Sequence, residues 1–176
     1  PHEQTLQHAP TVIAILAMAM DTRRNWLSPV SFTCVAIFLW LHILGARYIY
    51  SFVPYDDWAI NLTGKSISDL WDWKRNQYDR IVHFLFGCLC IAPVAETALK
   101  YGKLSWPWAV AFAVLTVLSV SALYEMFEWL LTVVMSPRHA EAYNGQQGDI
   151  WDAQKDMALA FAGGLSVVIL TTVWRS

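Results

Sequence analysis

Charged residues are scarce in this sequence. Asp, Glu, Lys and Arg make up 15% of its 176 residues, whereas ordinary soluble domains carry about 25%. Apolar residues reach 56% and the mean hydropathy is +0.37. This composition excludes a disordered tail and an ordinary soluble domain. The net charge of −2, with no basic stripe along one face, predicts no nucleic-acid partner.

Cysteines are few, and the common catalytic motifs are absent. Cys34, Cys88 and Cys90 all lie inside apolar runs, where a cysteine is usually a small buried apolar residue. The sequence contains no G-x-x-x-x-G-K, G-x-S-x-G or H-E-x-x-H string. It therefore gives no support for a phosphate loop, a nucleophile elbow or a zincin site.

Long apolar runs are present instead. A bilayer-spanning helix needs about 20 apolar residues, and four runs are long enough: residues 28–50, 80–99, 106–135 and 154–174. The shorter run at 10–20 lacks the basic leader of a signal peptide, and we expect a short or partial span there. The sequence thus predicts an all-α, polytopic transmembrane bundle of about five helices that forms one domain, residues 1–176.

Basic residues in the short connections predict the orientation. The positive-inside rule makes their side cytoplasmic, so the loops 51–79 and 136–153 are expected to be extracytoplasmic. The basic residues concerned are Arg23, Arg24, Lys100, Lys103 and Arg175.

The loop 51–79 mixes apolar and charged residues in a way that predicts a short amphipathic helix at the membrane surface. A substrate lid is the alternative interpretation. The apolar members of this segment are Trp58, Leu62, Ile67, Leu70, Trp71 and Trp73.

Ionisable residues within or beside the apolar runs are the main functional signal, because their placement there is costly. Asp79 and His83 are four residues apart and share a helix face, and Glu125 and Glu128 are three apart and do the same. The predicted topology brings both pairs to the extracytoplasmic side of the membrane, where the last helix begins. Asp149, Asp152 and Asp156 lie in and just before the start of that helix.

Other roles are open for some of these groups. Asp79, Asp149 and Asp152 could cap helix N-termini. Glu125 and Glu128 lie too far inside their helix to be caps, so they need a cation, a shared proton or arginine partners.

A divalent metal is the first interpretation of the cluster. Several carboxylates with one imidazole suit Zn, Mn, Fe or Mg. Pairing by Arg80, Arg47 or Lys155 without a metal is the main alternative, and a proton relay is the third. We expect supporting roles for the remaining polar residues at this level, namely His42, Arg47, Gln154 and Lys155.

Four strings in the chain resemble the YjdF-like bacterial inner-membrane proteins. The most specific is GDIWDAQKDMALAFAGG at residues 148–164, and the others are LHILGARYIYSFVPYDDW at 41–58, NQYDRIVHFLFG at 76–87 and ALYEMFEW at 122–129. The order Asp-Arg-x-x-His, intramembrane Glu, then Gln and Asp is also similar, more loosely, to VanZ-like proteins.

These resemblances imply a multi-pass protein of the bacterial inner membrane, with Asp79, Arg80, His83, Glu125 and Glu128 among its site residues. The three aspartates 149, 152 and 156 complete that set. At Arg47 we expect many YjdF-like relatives to have His, which weakens a ligand role for that position.

The sequence favours a cavity that faces the periplasm and binds a divalent metal, in contact with membrane lipids. If it is catalytic, Arg80 would clamp an anionic group, and the metal ligands would come from Asp79, His83, Asp149, Asp152 and Asp156. Glu125 or Glu128 would be the general base acting on a lipid-linked or phosphorylated envelope substrate. One alternative is capture of a lipid head group or glycopeptide antibiotic without bond cleavage, and another is an ion or proton pathway.

Overall fold

The computed structural model describes residues 2–134 and 146–173, with side chains from residue 11 onward. The described residues form helices and no strand. In chain order the helices are α1 (His2–Arg24), α2 (Pro29–Arg47), α3 (Tyr55–Thr63), α4 (Ile67–Leu70), α5 (Tyr78–Lys100), α6 (Trp106–Val134) and α7 (Asp152–Val173).

Four of these helices, α2, α5, α6 and α7, are long and apolar enough to cross a membrane. The predicted helical, multi-pass architecture is therefore confirmed. The predicted count of about five helices was not exact, because the described chain has seven helices and four candidate spans. Helix α1 is longer than the predicted run at 10–20. It is not one of the four candidate spans, and polar residues such as Glu3 and Gln4 occur in its first turns.

The ends of the helices differ from the prediction by a few residues. Helix α2 ends at Arg47 and not at residue 50, because Ile49 and Tyr50 have positive φ angles that a helix cannot contain. Helices α5 and α7 each begin two residues earlier than predicted. The loop 51–79 contains two short helices, α3 and α4, where one was expected.

Helix α5 is the centre of the bundle. It packs against α2, α6 and α7, and α1 packs against α2. Helix α6 buries one residue every four positions, which places them on a single face. These are Ala109, Ala113, Val117, Ser121 and Glu125, so a stripe of small residues ends in a carboxylate.

The backbones of α5 and α7 touch. A methyl group on Gly87 would lie 2.0 Å from the carbonyl oxygen of Ala160, and one on Gly163 would lie 2.1 Å from that of Phe84. Small residues commonly allow such close approach between membrane helices. This contact fixes how the first turns of α5 and α7 face each other.

We expect Gly87→Ala to destabilise the protein by about 1–3 kcal/mol, because the added methyl forces α5 and α7 apart. The better helix propensity of alanine offsets about 0.5–1 kcal/mol of this cost. Thermal unfolding in detergent, followed by circular dichroism, measures the effect. Ala158→Val adds bulk at an exposed position of α7 and is the control, which should change stability far less. Equal stability of Gly87→Ala and the wild type would contradict the close contact.

Candidate functional site

The start of α5 and the start of α7 carry buried polar residues that face each other. Asp79 and His83 lie one turn apart on α5, and Asp152 and Asp156 lie one turn apart on α7. All four are at most 8% exposed. The glycine contact between the two helices begins one turn further along each of them, so it holds these side chains together.

Asp79, His83, Glu125 and Asp156 form what we term the inner cluster. His83 Nε2 lies 3.3 Å from Glu125 Oε1 and 3.8 Å from Asp79 Oδ1. One ligand atom from each of Asp79, His83 and Asp156 lies within 4.8 Å of the other two. Ionisable side chains of α5, α6 and α7 thus meet in the inner cluster.

Two buried oxygens of the inner cluster, Glu125 Oε1 and Asp156 Oδ1, accept no hydrogen bond from the described residues. His83 Nε2, 3.3 Å from Glu125 Oε1, pairs with that oxygen only when the imidazole is protonated. Within residues 11–134 and 146–173, no lysine or arginine forms an ion pair with Asp79, Glu125 or Asp156. Buried carboxylates of like charge need a proton or a cation to share the space.

Two side chains of α6 support the cluster. Ser121 Oγ lies 3.5 Å from His83 Nδ1, so the other ring nitrogen, Nε2, is the one that faces the carboxylates. Tyr124 hydrogen-bonds the carboxyl group of Glu128, and its ring meets the His83 ring edge-on. Glu128 therefore lies beside the cluster and is held by its own helix.

Arg75, Arg80, Asp149, Asp152 and Lys155 form a second group, which we term the outer ion-pair layer. Arg75 pairs with Asp152, and Arg80 pairs with Asp149. Arg80 Nη2 is also 3.2 Å from Asp152 Oδ1, and Lys155 Nζ is 2.6 Å from Asp149 Oδ2. Each of these three basic side chains forms an ion pair with Asp149 or Asp152. The carboxylates of the inner cluster form no such pair among the described residues.

The loop before α7 is tied to the loop before α5. The backbone of Asn76 donates to Gln147 Oε1 at 2.9 Å, and Gln147 Nε2 donates to the carbonyl of Asn76 at 3.1 Å. The Lys155 ammonium, the Trp151 backbone amide and the Arg80 guanidinium hold the pKa of Asp149 well below its usual range. The loops that carry Arg75 and Asp149 of the outer ion-pair layer are therefore joined to each other.

The predicted site residues divide into three sets in the structure. Asp79, His83, Glu125 and Asp156 meet in the inner cluster, with Glu128 beside it. Asp149, Asp152, Arg80 and Lys155 meet in the outer ion-pair layer. The remaining predicted residues belong to neither group: His42 lines a cavity together with Asp79 and His83, and its ring bonds the Tyr50 hydroxyl. Arg47 lies over the Tyr48 ring, and Gln154 is exposed on α7.

Sequence reasoning missed three residues of this site. Arg75 was assigned to a loop, and no helical spacing links it to Asp79, because α5 begins at Tyr78. Ser121 lies four residues before Glu125, a spacing that places both on one helix face. Tyr124 lies one residue before Glu125, so helical spacing gave no signal for it. Glu96 lies outside the site, because it accepts hydrogen bonds from Ser28 at the other end of α5.

A cavity of about 270 Å³ adjoins the inner cluster. Helices α1, α2, α5 and α6 line it. Its walls are mainly apolar, and the polar residues that line it are Thr11, His42, Tyr50, Asp79, His83, Ser121 and Tyr124. The buried polar cluster is therefore reached from an apolar space within the bundle.

The fold and the site define a multi-pass helical membrane protein with a buried cluster of carboxylates and one histidine. The chain belongs to the family described as "Predicted membrane protein (DUF2238)", which matches residues 1–176. It is 30% identical over 165 residues to "Inner membrane protein YjdF" of Escherichia coli (strain K12), a match that covers 93% of this chain and 75% of the relative. No solved structure matches.

These findings confirm the YjdF-like resemblance and a multi-pass protein of the inner membrane. The looser similarity to VanZ-like proteins stays a prediction.

We expect acid to loosen the loop before α7. Because ion pairing lowers the folded-state pKa of Asp149, its stabilisation is complete above the ordinary aspartate pKa of about 3.9 and is lost as the pH falls further. Hydrogen exchange of residues 146–151, corrected for the intrinsic rate at each pH, measures this effect.

Asp149→Asn should raise exchange at neutral pH and remove the acid dependence. Asp72→Asn is the control, since the Asp72–Lys74 pair is exposed and exposed pairs contribute little. An Asp149→Asn protein that still loosens in acid like the wild type would show that another group is responsible.

Proposed function

We propose that this protein holds one divalent metal ion in the inner cluster, with Asp79, His83 and Asp156 as ligands. The observation that carries the proposal is the grouping of their ligand atoms within 4.8 Å. The unpartnered oxygens of Asp156 and Glu125 support it, because an added cation would supply the missing partner.

The chemistry of the donors limits the metal. Two carboxylates and one imidazole favour Zn, Mn, Fe or Mg over soft metals. Histidine ligands usually donate their second ring N–H to a neighbouring acceptor, and Ser121 Oγ offers that acceptor to His83 Nδ1. The sequence assigned Asp149 and Asp152 as ligands too, but their ion pairs with Arg75, Arg80 and Lys155 favour a charge-balancing role for both.

The proposed activity is metal-assisted hydrolysis or transfer on a phosphorylated, lipid-linked substrate. A bound divalent metal lowers the pKa of its water and polarises a phosphoryl oxygen. Glu125, 3.3 Å from His83 Nε2, is close enough to the proposed ligands to take a proton from such a water. Arg80, at the boundary of the outer ion-pair layer, is placed to contact an anionic group by exchanging one of its two aspartate partners.

Binding without catalysis is the second candidate. Its support is that Arg75 and Arg80 already pair with Asp152 and Asp149, so either guanidinium would have to give up an aspartate before it could stabilise charge that develops during a reaction. An ion pathway has less support, because Ile91, Ala113, Val117 and Ala160 pack into an apolar cluster further along the bundle.

We propose that the inner cluster lies toward the periplasm. Arg24, Lys100 and Lys103 lie at the other end of the bundle, where Lys100 Nζ donates to the carbonyls of Asn25 and Trp26. The positive-inside rule assigns that end to the cytoplasm. The exposed Leu62, Leu70 and Trp71 of the loop 51–79 suit contact with the membrane surface.

We expect purified protein to contain about one equivalent of a transition metal or Mg, since the three proposed ligands form a single site. His83→Gln and Asp156→Asn should each lose it, because three-ligand sites bind weakly when one ligand is removed. Elemental mass spectrometry on detergent-purified protein provides the measurement, and Asp72→Asn is the exposed-carboxylate control. Absence of metal from the wild type after supplementation would favour a shared-proton network.

We expect Glu125→Gln to retain the metal but to lower product formation by about 100-fold or more, the usual contribution of a general base. The assay is phosphate release from alkyl and polyprenyl phosphates in lipid nanodiscs. Glu128→Gln is the matched variant one turn along α6 and should lose less activity. A wild type that binds metal and releases no product from any of these substrates would support the binding role.

A further inference from the structure

The cavity beside the inner cluster has the volume and the mainly apolar lining expected of a site for an alkyl chain. Its volume of about 270 Å³ is close to the lower end of small-molecule sites, about 300 Å³. Its apolar walls include Ala14 of α1, Val35 and Leu39 of α2, and Phe86 of α5. Apolar cavities of this kind exclude water and accept apolar ligands.

The cavity has a route to the membrane interior. Val120 of α6 lines it and is nevertheless 46% exposed. Helix α1 packs against α2 and makes no comparable contact with α6 in the described ranges. The cavity therefore opens between α1 and α6, on a side of the bundle that faces hydrocarbon when the four spans cross a bilayer.

We propose that this cavity receives the single alkyl chain of an amphiphile whose phosphate head group lies at the inner cluster. The position of the head group rests on the proposed function. The cavity adds that the substrate carries a single alkyl chain. An apolar chain would contact the mainly apolar walls, and a head group would lie where Asp79 and His83 of the inner cluster line the cavity. Thr11 of α1 and His42 of α2 are further polar residues in the lining.

Charge explains why the head group needs the metal. Asp79, Glu125 and Asp156 would repel a phosphate, and no lysine or arginine of the described residues pairs with them. A divalent cation in the inner cluster reverses this repulsion. An alkyl alcohol, which carries no charge, should enter the same cavity with or without the metal.

The test uses two photoaffinity probes in lipid nanodiscs: dodecyl phosphate and dodecanol, each with a diazirine at the end of the chain. Labelled peptides are mapped by mass spectrometry, with and without excess unlabelled compound. The expected result is saturable labelling of the cavity walls around Val35, Leu39 and Phe86. Labelling of bilayer-facing residues should not saturate.

Cavity-filling variants provide the control. Val35→Phe should reduce saturable labelling by about tenfold or more, because overpacking excludes the chain. Ile37→Phe adds a ring to an exposed position of the same helix and should leave labelling unchanged. Ala14→Phe is a second cavity-filling variant, with the ring added from α1. It keeps the test valid if Val35→Phe does not fold.

Each outcome separates the two proposals. Non-saturable labelling by both probes, or labelling that Val35→Phe and Ala14→Phe leave intact in folded protein, would overturn the chain-binding cavity. Saturable labelling by dodecanol but not by dodecyl phosphate would support the cavity and contradict the head-group assignment together with the proposed function. Lysophosphatidic acid and a polyprenyl phosphate are then tested as competitors of dodecyl phosphate labelling. The compound that competes shows which kind of lipid phosphate the cavity accepts.

Discussion

The contact between the backbones of α5 and α7 is the constraint on which the rest of the site depends. Within a membrane, helices gain little from the hydrophobic effect and associate through close packing. Gly87 and Gly163 permit that packing, since any side chain there would meet a backbone carbonyl. The contact fixes the axial register of the two helices, and this register places Asp156 beside Asp79 and His83.

The polar groups near this contact fall into two layers with opposite charge balance. In the outer layer Arg75, Arg80 and Lys155 neutralise Asp149 and Asp152. In the inner cluster carboxylates are buried around a single imidazole, and two of their oxygens have no partner. Burying such groups is costly, so the inner cluster is the place where a bound cation would change the energetics most.

Helical periodicity explains why much of this site was predictable. Asp79 and His83 share a face at four-residue spacing, and the length of the apolar runs places Glu125 at the same level as the start of the last helix. Arg75 was not predictable in the same way, because its loop has no periodicity. Its pairing with Asp152 depends on the hydrogen bonds between Asn76 and Gln147, which join segments about 70 residues apart.

The sequence by itself determined a helical multi-pass membrane protein and the group of ionisable residues that its helices bring to one end, because hydrophobic length and helical spacing are local properties of the chain. Only the tertiary structure decided which of these residues form ion pairs with arginine or lysine, in the outer layer, and which form none among the described residues, in the inner cluster. It also decided that an apolar cavity adjoins the cluster between α1, α2, α5 and α6. Both depend on the rotation and register of packed helices, which are set by contacts between distant residues.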